Sequence, residues 1–411
     1  MKPVGTAVIG CGNVGTFYCG AMPNHPILKL LGVMDIDGAR SSAYSAYYSV
    51  HKYESLDEVL NDPRVELVLN LTNPRSHYPI SRACLENGKH VYSEKPLAMS
   101  LHEAAELVDL AKSKGLYLAS APSRILAETG QTIWKALRDN VIGNVYAVYA
   151  EMDGTLIHRE NYKEWVNEVG MHWPYWDELE VGCTIEHAGY PVSWLTAYFG
   201  PVETVTTFAT CQVQDLGIDL KREVIPPDLT VACLKFKSGI VARLTTSWIA
   251  PHDHSIRIFG DSGVLTTDDV WEAGSRVYIT RNRSIRIGPK SIRLPHNHQT
   301  YPMASPPKRS GTNGRGGLRI PSPRTIARGI RARLLHLKKR PDFCLGPAEL
   351  GSAFREQRAC RLSPEYCLHN TEIVLAIHNA MTAGPQYTMT TSFLPLEPLS
   401  WASPPKSSTR N

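Results

Sequence analysis

The chain has 411 residues, 43% of them hydrophobic and 20% charged. That length exceeds one ordinary core, so two domains are expected, and the composition is that of a globular protein rather than a disordered, fibrous or disulfide-framework one. The net charge of +5 is unevenly spread: residues 281–340 hold sixteen Lys or Arg and no Asp or Glu, so the remainder carries −11, the whole-chain value less sixteen.

No apolar run approaches the ~20 residues a membrane helix needs, and the start of the chain shows no signal-peptide pattern. The cysteines number nine, with no C-x-x-C pair. Reduced, buried thiols in a cytoplasmic protein are expected, not a disulfide framework or a zinc site.

The first apolar run, Val4 to Ile9, leads into Gly10, Gly12 and Gly15, spaced G-x-G-x-x-G. A short helix and a second apolar run ending at Asp35 follow. This is the order of a dinucleotide-binding βαβ unit. The glycines permit the tight turn, the approach of a pyrophosphate and close helix packing, and a carboxylate twenty residues on meets ribose hydroxyls. The contacts expected of the turn are Gly10, Gly12, Asn13, Val14 and Gly15, with Asp35 and Ile36 at the next strand end. A carboxylate at 35 repels a 2′-phosphate and favours NAD, while the nearby Arg40 leaves NADP possible.

Further along, Ser55-Leu56-Asp57-Glu58 and Ser100-Leu101-His102-Glu103 are capping boxes that open helices. Val65–Leu71 reads as a strand buried on both faces, Thr72-Asn73-Pro74 breaks it, and a helix runs from His77 to Glu86. His90–Tyr92 is the next strand, followed by Ser93-Glu94-Lys95-Pro96. Strand and helix thus alternate over residues 1–122, a Rossmann-type doubly wound parallel sheet.

The pattern changes over 123–390. A helix is expected over Glu128–Asn140, a strand over Val145–Met152, an aromatic loop with Trp165, Trp173 and Trp176, and one helix over Thr184–Phe199. Closely spaced strands from Val202 to Thr280 then form a mostly antiparallel open sheet, an α+β domain. Residues 289–340 read as a basic, Pro/Gly/Arg-rich insertion, flexible or partly ordered, with a basic helix over Thr325–Lys339. Helices are expected over Glu349–Arg358 and Pro364–Met381, then a loose tail over 391–411.

Three motifs in order, GCGNVG, SEKPLAMS and GCTIEHAGYPVSWLTAYFG, resemble the Gfo/Idh/MocA oxidoreductases, the group of glucose-fructose oxidoreductase and inositol dehydrogenase. The resemblance implies an NAD(P)-dependent dehydrogenase that moves hydride between nicotinamide and a secondary alcohol of a sugar, sugar derivative or cyclitol. It implies Lys95 and Tyr190 as the proton-handling pair, Glu186 as orienting residue, Glu94 at the nicotinamide ribose, and Thr72, Asn73 and His77 against the cofactor. Tyr190 and Glu186 stand where the commonest family pattern has His and Asp. An ammonium beside the phenol would favour its anion, making Tyr190 the base or, in return, the acid. His187 competes for that role if the register slips by one; otherwise it is structural.

Trp165, Trp173 and Trp176 are either flat walls for a sugar ring or interface packing. The family also implies a homodimer or homotetramer formed through the open sheet face. A dihydrodiol-type dehydrogenase, a non-catalytic NAD-binding regulator and an NAD-dependent glycosidase stand as alternatives. His252/His254 and His296/His298 have metal-like spacing without a third ligand in sequence. They read as loop histidines, and no metal, membrane or nucleic-acid partner is expected.

Overall fold

The computed structural model describes residues 1–218, 225–272, 274–281, 284–287, 290–293, 297–303 and 341–402. Six strands, β1 (Val4–Ile9), β2 (Leu28–Met34), β3 (His51–Lys52), β4 (Leu67–Asn70), β5 (His90–Ser93) and β6 (Leu118–Ser120), form an all-parallel sheet ordered β3-β2-β1-β4-β5-β6. Strands β1, β4, β5 and β6 are buried at every position, which is why they read as unbroken apolar runs. Helices α1 (Gly15–Ala21), α2 (Gly38–Tyr48), α3 (Leu56–Asn61), α4 (His77–Glu86) and α5 (Leu101–Ser113) connect them. Both capping boxes form, with the Ser55 and Ser100 hydroxyls accepting from Glu58 and Glu103 N–H.

After α6 (Glu128–Arg138), a second sheet assembles from β7 (Val145–Asp153), β8 (Val202–Thr210), β9 (Leu229–Phe236), β10 (Val241–Ser247), β11 (Ile256–Gly260), β12 (Gly263–Thr267) and β13 (Val277–Arg281). It is mostly antiparallel; β7 and β10 pair in parallel at its centre. Among the described residues, strands continue into the insertion. Ser284–Ile287 pairs with Lys290–Arg293, and Asn297–Thr300 adds an edge strand to β13. The expected helix over Thr325–Lys339 lies outside the described residues.

The C-terminal segment ties the two sheets together. Helix Leu345–Glu356 packs on β2, β5 and β6, while helix Pro364–His378 lies between α5 and α8 (Gly189–Phe199). One hydrophobic core therefore contains residues of both sheets. The tail expected to be loose is held as far as Ala402: Glu372 accepts hydrogen bonds from Thr390 and Thr391, Phe393 is buried, and Leu399 N–H donates to Gln131.

All nine cysteines are free; seven are buried, but Cys211 is only partly so and Cys233 is exposed. Among the described residues, no helix is long and apolar enough to cross a membrane.

Candidate active site

The glycine turn forms as expected. Gly10 has φ of +97°, and a Cβ there would stand 2.5 Å from the Leu71 carbonyl oxygen. Gly12 faces open space, and Gly15 packs against the Tyr44 hydroxyl. Asp35 is braced at the end of β2, accepting from Cys11 N–H at 2.7 Å and Asp37 N–H at 2.8 Å. Ile36 beside it is 99% exposed. An open glycine turn, a braced carboxylate and a bare apolar side chain next to it fit a dinucleotide. Asn13 and Val14 complete the turn. A strap from the second domain reaches it, for Asn13 Nδ2 donates to Met171 O at 3.2 Å and Asn167 Nδ2 donates to Asn13 O at 3.1 Å.

At the end of β5, Lys95 projects into a cleft lined by Pro96, Ser120, Pro122, Ile185 and Gly189. Its Nζ is ion-paired with Glu186, and both side chains are nearly buried. Burial opposes the Lys95 ammonium, yet the carboxylates of Glu186, Glu178 and Glu94 outweigh it and hold its pKa above the usual lysine value. Burial likewise opposes the Glu186 carboxylate, but Lys95 and a hydrogen bond from Glu178 keep its pKa below the usual range. Glu178 takes the other role. Burial first, then the adjacent Glu186 charge, push its carboxyl well up, so it carries the proton of the pair. Glu94 is buried, accepts from the Tyr18 hydroxyl at 2.5 Å and from Lys95 N–H at 3.0 Å, and is raised chiefly by burial.

The helix expected over Thr184–Phe199 forms, but its first turn is π-helical and a separate helix ends just before it. Helix α7 (Tyr175–Cys183) ends around Gly182, whose φ of 80° and ψ of 168° are non-helical, and a π-helical turn spans Thr184–Ala188 before α8 begins. The i→i+5 turn re-aims Glu186 and His187 relative to Tyr190, a frequent device at functional sites.

Tyr190 lies on the Lys95 side: its ring centroid is 5.8 Å from Lys95 Nζ, and it stacks on Trp271 at 4.5 Å. The expectation that the ammonium would ease its ionisation is overturned. Burial, then Glu94, Glu186 and Glu178, push the phenol well above its ordinary value, with Arg124 only partly opposing. Tyr190 therefore keeps its proton at neutral pH and is not a phenolate there.

His187 is half-buried, and its desolvation by the surrounding side chains depresses it to about 3. Its Nδ1 stands 3.2 Å from Trp248 Nε1. An indole N–H can only donate, which assigns the His187 proton to Nε2 and makes that nitrogen a donor.

The T-N-P-x-x-H loop is built as an internal brace. Asn73 caps Ser76 N–H, the Thr72 hydroxyl donates to Asn70, and His77 is buried with its ring nitrogens 2.7 Å from Pro96 O and 3.0 Å from Thr72 O. Burial lowers His77 to about 4. The neutral ring has one N–H, so it can donate to only one of these carbonyls, and the shorter contact ties it to the turn that carries Lys95.

Trp165 and Trp173 pack on each other, Trp173 with Tyr162 in a satellite cluster, and Trp176 is half exposed. The indoles actually beside the Lys95 group are Trp271 and, against His187, Trp248. Sequence reasoning passed over both, together with Glu178 and Arg124. Arg124 is buried and donates to Trp271 O at 2.6 Å, while its Nε and Nη1 find no partner. These residues come from separate loops and strands, so no local spacing marks them; Glu178 alone lies in the expected neighbourhood.

An oxidoreductase family with an NAD-binding Rossmann fold matches residues 4–121, and the GFO/IDH/MocA C-terminal domain matches residues 131–266. An uncharacterised oxidoreductase of Schizosaccharomyces pombe is 33% identical over 40% of this chain, a match spanning 46% of that protein. The mouse trans-1,2-dihydrobenzene-1,2-diol dehydrogenase is 23% identical over 59% of this chain and 67% of its own length. The fold of an NAD-binding oxidoreductase from Klebsiella pneumoniae superposes with a TM-score of 0.72 at 19% identity, covering 95% of this chain and all of that one. The chain spans less than half the length of the fission-yeast relative, yet both halves of the fold are matched. With the glycine turn, the Lys95 cleft and the second sheet in these positions, the chain belongs to the Gfo/Idh/MocA family of NAD(P)-dependent oxidoreductases.

Proposed function

We propose that this protein is a dehydrogenase/reductase acting on a CH–OH/C=O pair of a sugar, sugar derivative, cyclitol or related ring diol, working best as a carbonyl reductase. The observation that carries this reading is the donor set grouped around Lys95. Lys95 is held as an ammonium by Glu186, Tyr190 is held neutral, and His187 presents Nε2–H. Such donors stabilise oxygen as negative charge develops on it.

Gly10, Gly12, Asn13, Val14, Gly15, Asp35 and Ile36 would hold the adenosine and pyrophosphate, with Glu94 near the nicotinamide ribose. The bound nicotinamide supplies or accepts the hydride. Lys95 orients the substrate oxygen, and Tyr190 hands it a proton in reduction or recovers one in oxidation. Glu178 and Glu186 share one proton beside Lys95 and can replenish it. Trp271 and Trp248 give flat apolar surfaces, which favours a ring substrate, and their aromatic character also suits the dihydrodiol alternative. Self-association through the exposed sheet face belongs to the same proposal.

The test is incubation with NADH or NADPH and a panel of keto-sugars, inososes and cyclic ketones, following nicotinamide absorbance, with the reverse panel of polyols and diols. Turnover that Lys95→Met and Tyr190→Phe each lower roughly a hundredfold or more supports the reading. Cofactor binding with no turnover in either direction would instead make the chain a regulator, and release of free sugar without net change in nicotinamide would make it a glycosidase.

A further inference from the structure

Behind Trp271, two histidines and a carboxylate that the hydride chemistry does not use come together. His252 and His254 precede β11, Asp269 follows β12, and a bridge between His254 and Asp269 joins the two segments. His252 Nε2 lies 3.4 Å from Asp269 Oδ2, and His254 Nδ1 lies 3.5 Å from Asp269 Oδ1. One ligand atom from each of the three falls within 4.8 Å of the other two. A tetrahedral centre with bonds of about 2.1 Å has edges of about 3.4 Å, so the two histidine–aspartate separations are those of neighbouring ligands, and the two imidazoles need only a small side-chain adjustment to join them.

We propose that His252, His254 and Asp269 form a binding site for a single divalent cation of the zinc type, with its fourth position open to water. The burial of His254 supports this independently of the spacing. Its side chain is 7% exposed, and neither ring nitrogen makes an aligned hydrogen bond. A buried imidazole held only by one long Nδ1 contact to Asp269, with Nε2 unpartnered among the described residues, costs free energy that a metal bond would remove.

Asp269 is prepared in the manner of a ligating carboxylate. Its Oδ1 accepts from Trp271 N–H at 2.6 Å and Glu272 N–H at 2.9 Å, which leaves Oδ2 directed at His252. Asp153, bridged to Asp253 on the neighbouring strand, adds negative charge within reach of His254. Two imidazoles with one carboxylate suit zinc and its transition-metal neighbours, whereas magnesium and calcium prefer all-oxygen sets. His252 is 58% exposed and gives the ion a way in.

The site has a consequence for the cleft. Trp271 follows Asp269 by two residues, stacks on His254 at 5.9 Å and on Tyr190 at 4.5 Å, and receives Arg124 on its carbonyl. An ion on Asp269 would fix the turn that carries this wall. Its role is positioning, since none of the three ligands touches Lys95 or Tyr190.

The experiment uses the full chain stripped by chelator, titrated with Zn²⁺ by calorimetry and with Co²⁺ by visible d–d absorption. One equivalent should bind in a tetrahedral-type Co²⁺ spectrum, and Zn²⁺ should raise the Tm. His252→Ala, an exposed substitution that keeps the fold, should weaken binding at least tenfold and abolish the Tm rise. Asp269→Asn should do the same. Undiminished binding and the same spectrum in folded His252→Ala protein would overturn the proposal, and so would a wild-type chain that takes up no ion.

Discussion

The phenol of Tyr190 is within electrostatic reach of Glu94, Glu186 and Glu178, and all three raise its pKa further above the 10.0 of a free tyrosine that burial has already raised. The Lys95 ammonium is held above 10.5 by the same carboxylates, against burial. Both groups therefore keep their protons through neutral pH and lose them only above their ordinary values. In the reductive direction kcat/KM should be flat through neutral pH and fall only in the alkaline range. A limb near neutrality in a pH–rate profile would reassign the proton donor. His187, depressed to about 3, is already neutral at pH 5 and contributes no limb there.

Lys95→Met should cost turnover without unfolding the chain. Stranding a buried charge costs about 3–5 kcal/mol, but Glu186 and Glu178 can take up a second proton and relieve it. The Tm should therefore fall by less than a stranded carboxylate would demand, and the fall should be larger at high pH, where the second proton is not taken up, than at low pH.

At the level of elements, what could be read ahead was local. The glycine turn, the capping boxes and the E-K-P turn carry their geometry in adjacent residues, and the Asp35 brace follows from the strand–turn–strand order. The break at Gly182 was hidden because its cause is distant. A Cβ on Gly182 would stand 2.5 Å from Pro226 Cβ, forty-four residues on, and its φ/ψ are nearly exclusive to glycine. Periodicity sees the apolar stripe after Thr184 but neither the helix that precedes Gly182 nor the π character of the first turn. The tryptophan beside Tyr190 was missed for the same reason: Trp271 meets Tyr190 only because the β11–β12 hairpin and its following turn fold back, while Trp165 and Trp173 pack on each other.

Gly182→Ala should therefore lower stability by about 1–3 kcal/mol from backbone strain alone, and also reduce turnover, because the π-turn that aims Glu186 starts two residues later. Thermal unfolding and kcat measured together would show it; an unchanged Tm with normal kcat would mean that the turn is not held there. In the cofactor turn, Asp35→Ala removes a carboxylate that orders Cys11 and Asp37 N–H. It should weaken NADH binding about tenfold, from the ~1.5 kcal/mol of one charge-assisted hydrogen bond, and weaken NADPH binding less. Equal losses for both nucleotides would place the ribose elsewhere.

At the scale of the whole molecule, one face of the second sheet is covered by helices, and among the described residues the other face carries exposed apolar side chains. Paired residues share a face, so the registers Phe208↔Val231, Val231↔Thr245 and Thr245↔Glu151 put Phe208 on the same side as Tyr149. Val241 and Cys233 join them through Ala147 and Arg243. Phe208 is 65% exposed and Val241 44%, an unusual stretch of bare apolar surface across four adjacent strands. At its centre Tyr149 is bracketed by the Arg243 guanidinium at 4.5 Å and that of Arg257 at 5.8 Å, and Phe259 closes on it at 4.8 Å. Glu151 pairs with both arginines and offsets one of their two charges, so the stripe presents planar groups with less mutual repulsion than a bare pair of cations.

Such a surface is self-complementary when two copies meet about a twofold axis, where each residue meets its own counterpart's neighbourhood. A stable pair needs roughly 800 Å² per subunit, an area a nine-stranded sheet face can supply. Sedimentation should give a dimer or tetramer at micromolar concentration. The double substitution Phe208→Ser with Tyr149→Ser should shift it toward monomer while leaving the far-ultraviolet spectrum intact, because both side chains point away from the core. A wild-type chain that sediments as monomer at all concentrations would show that another partner, or none, covers this face.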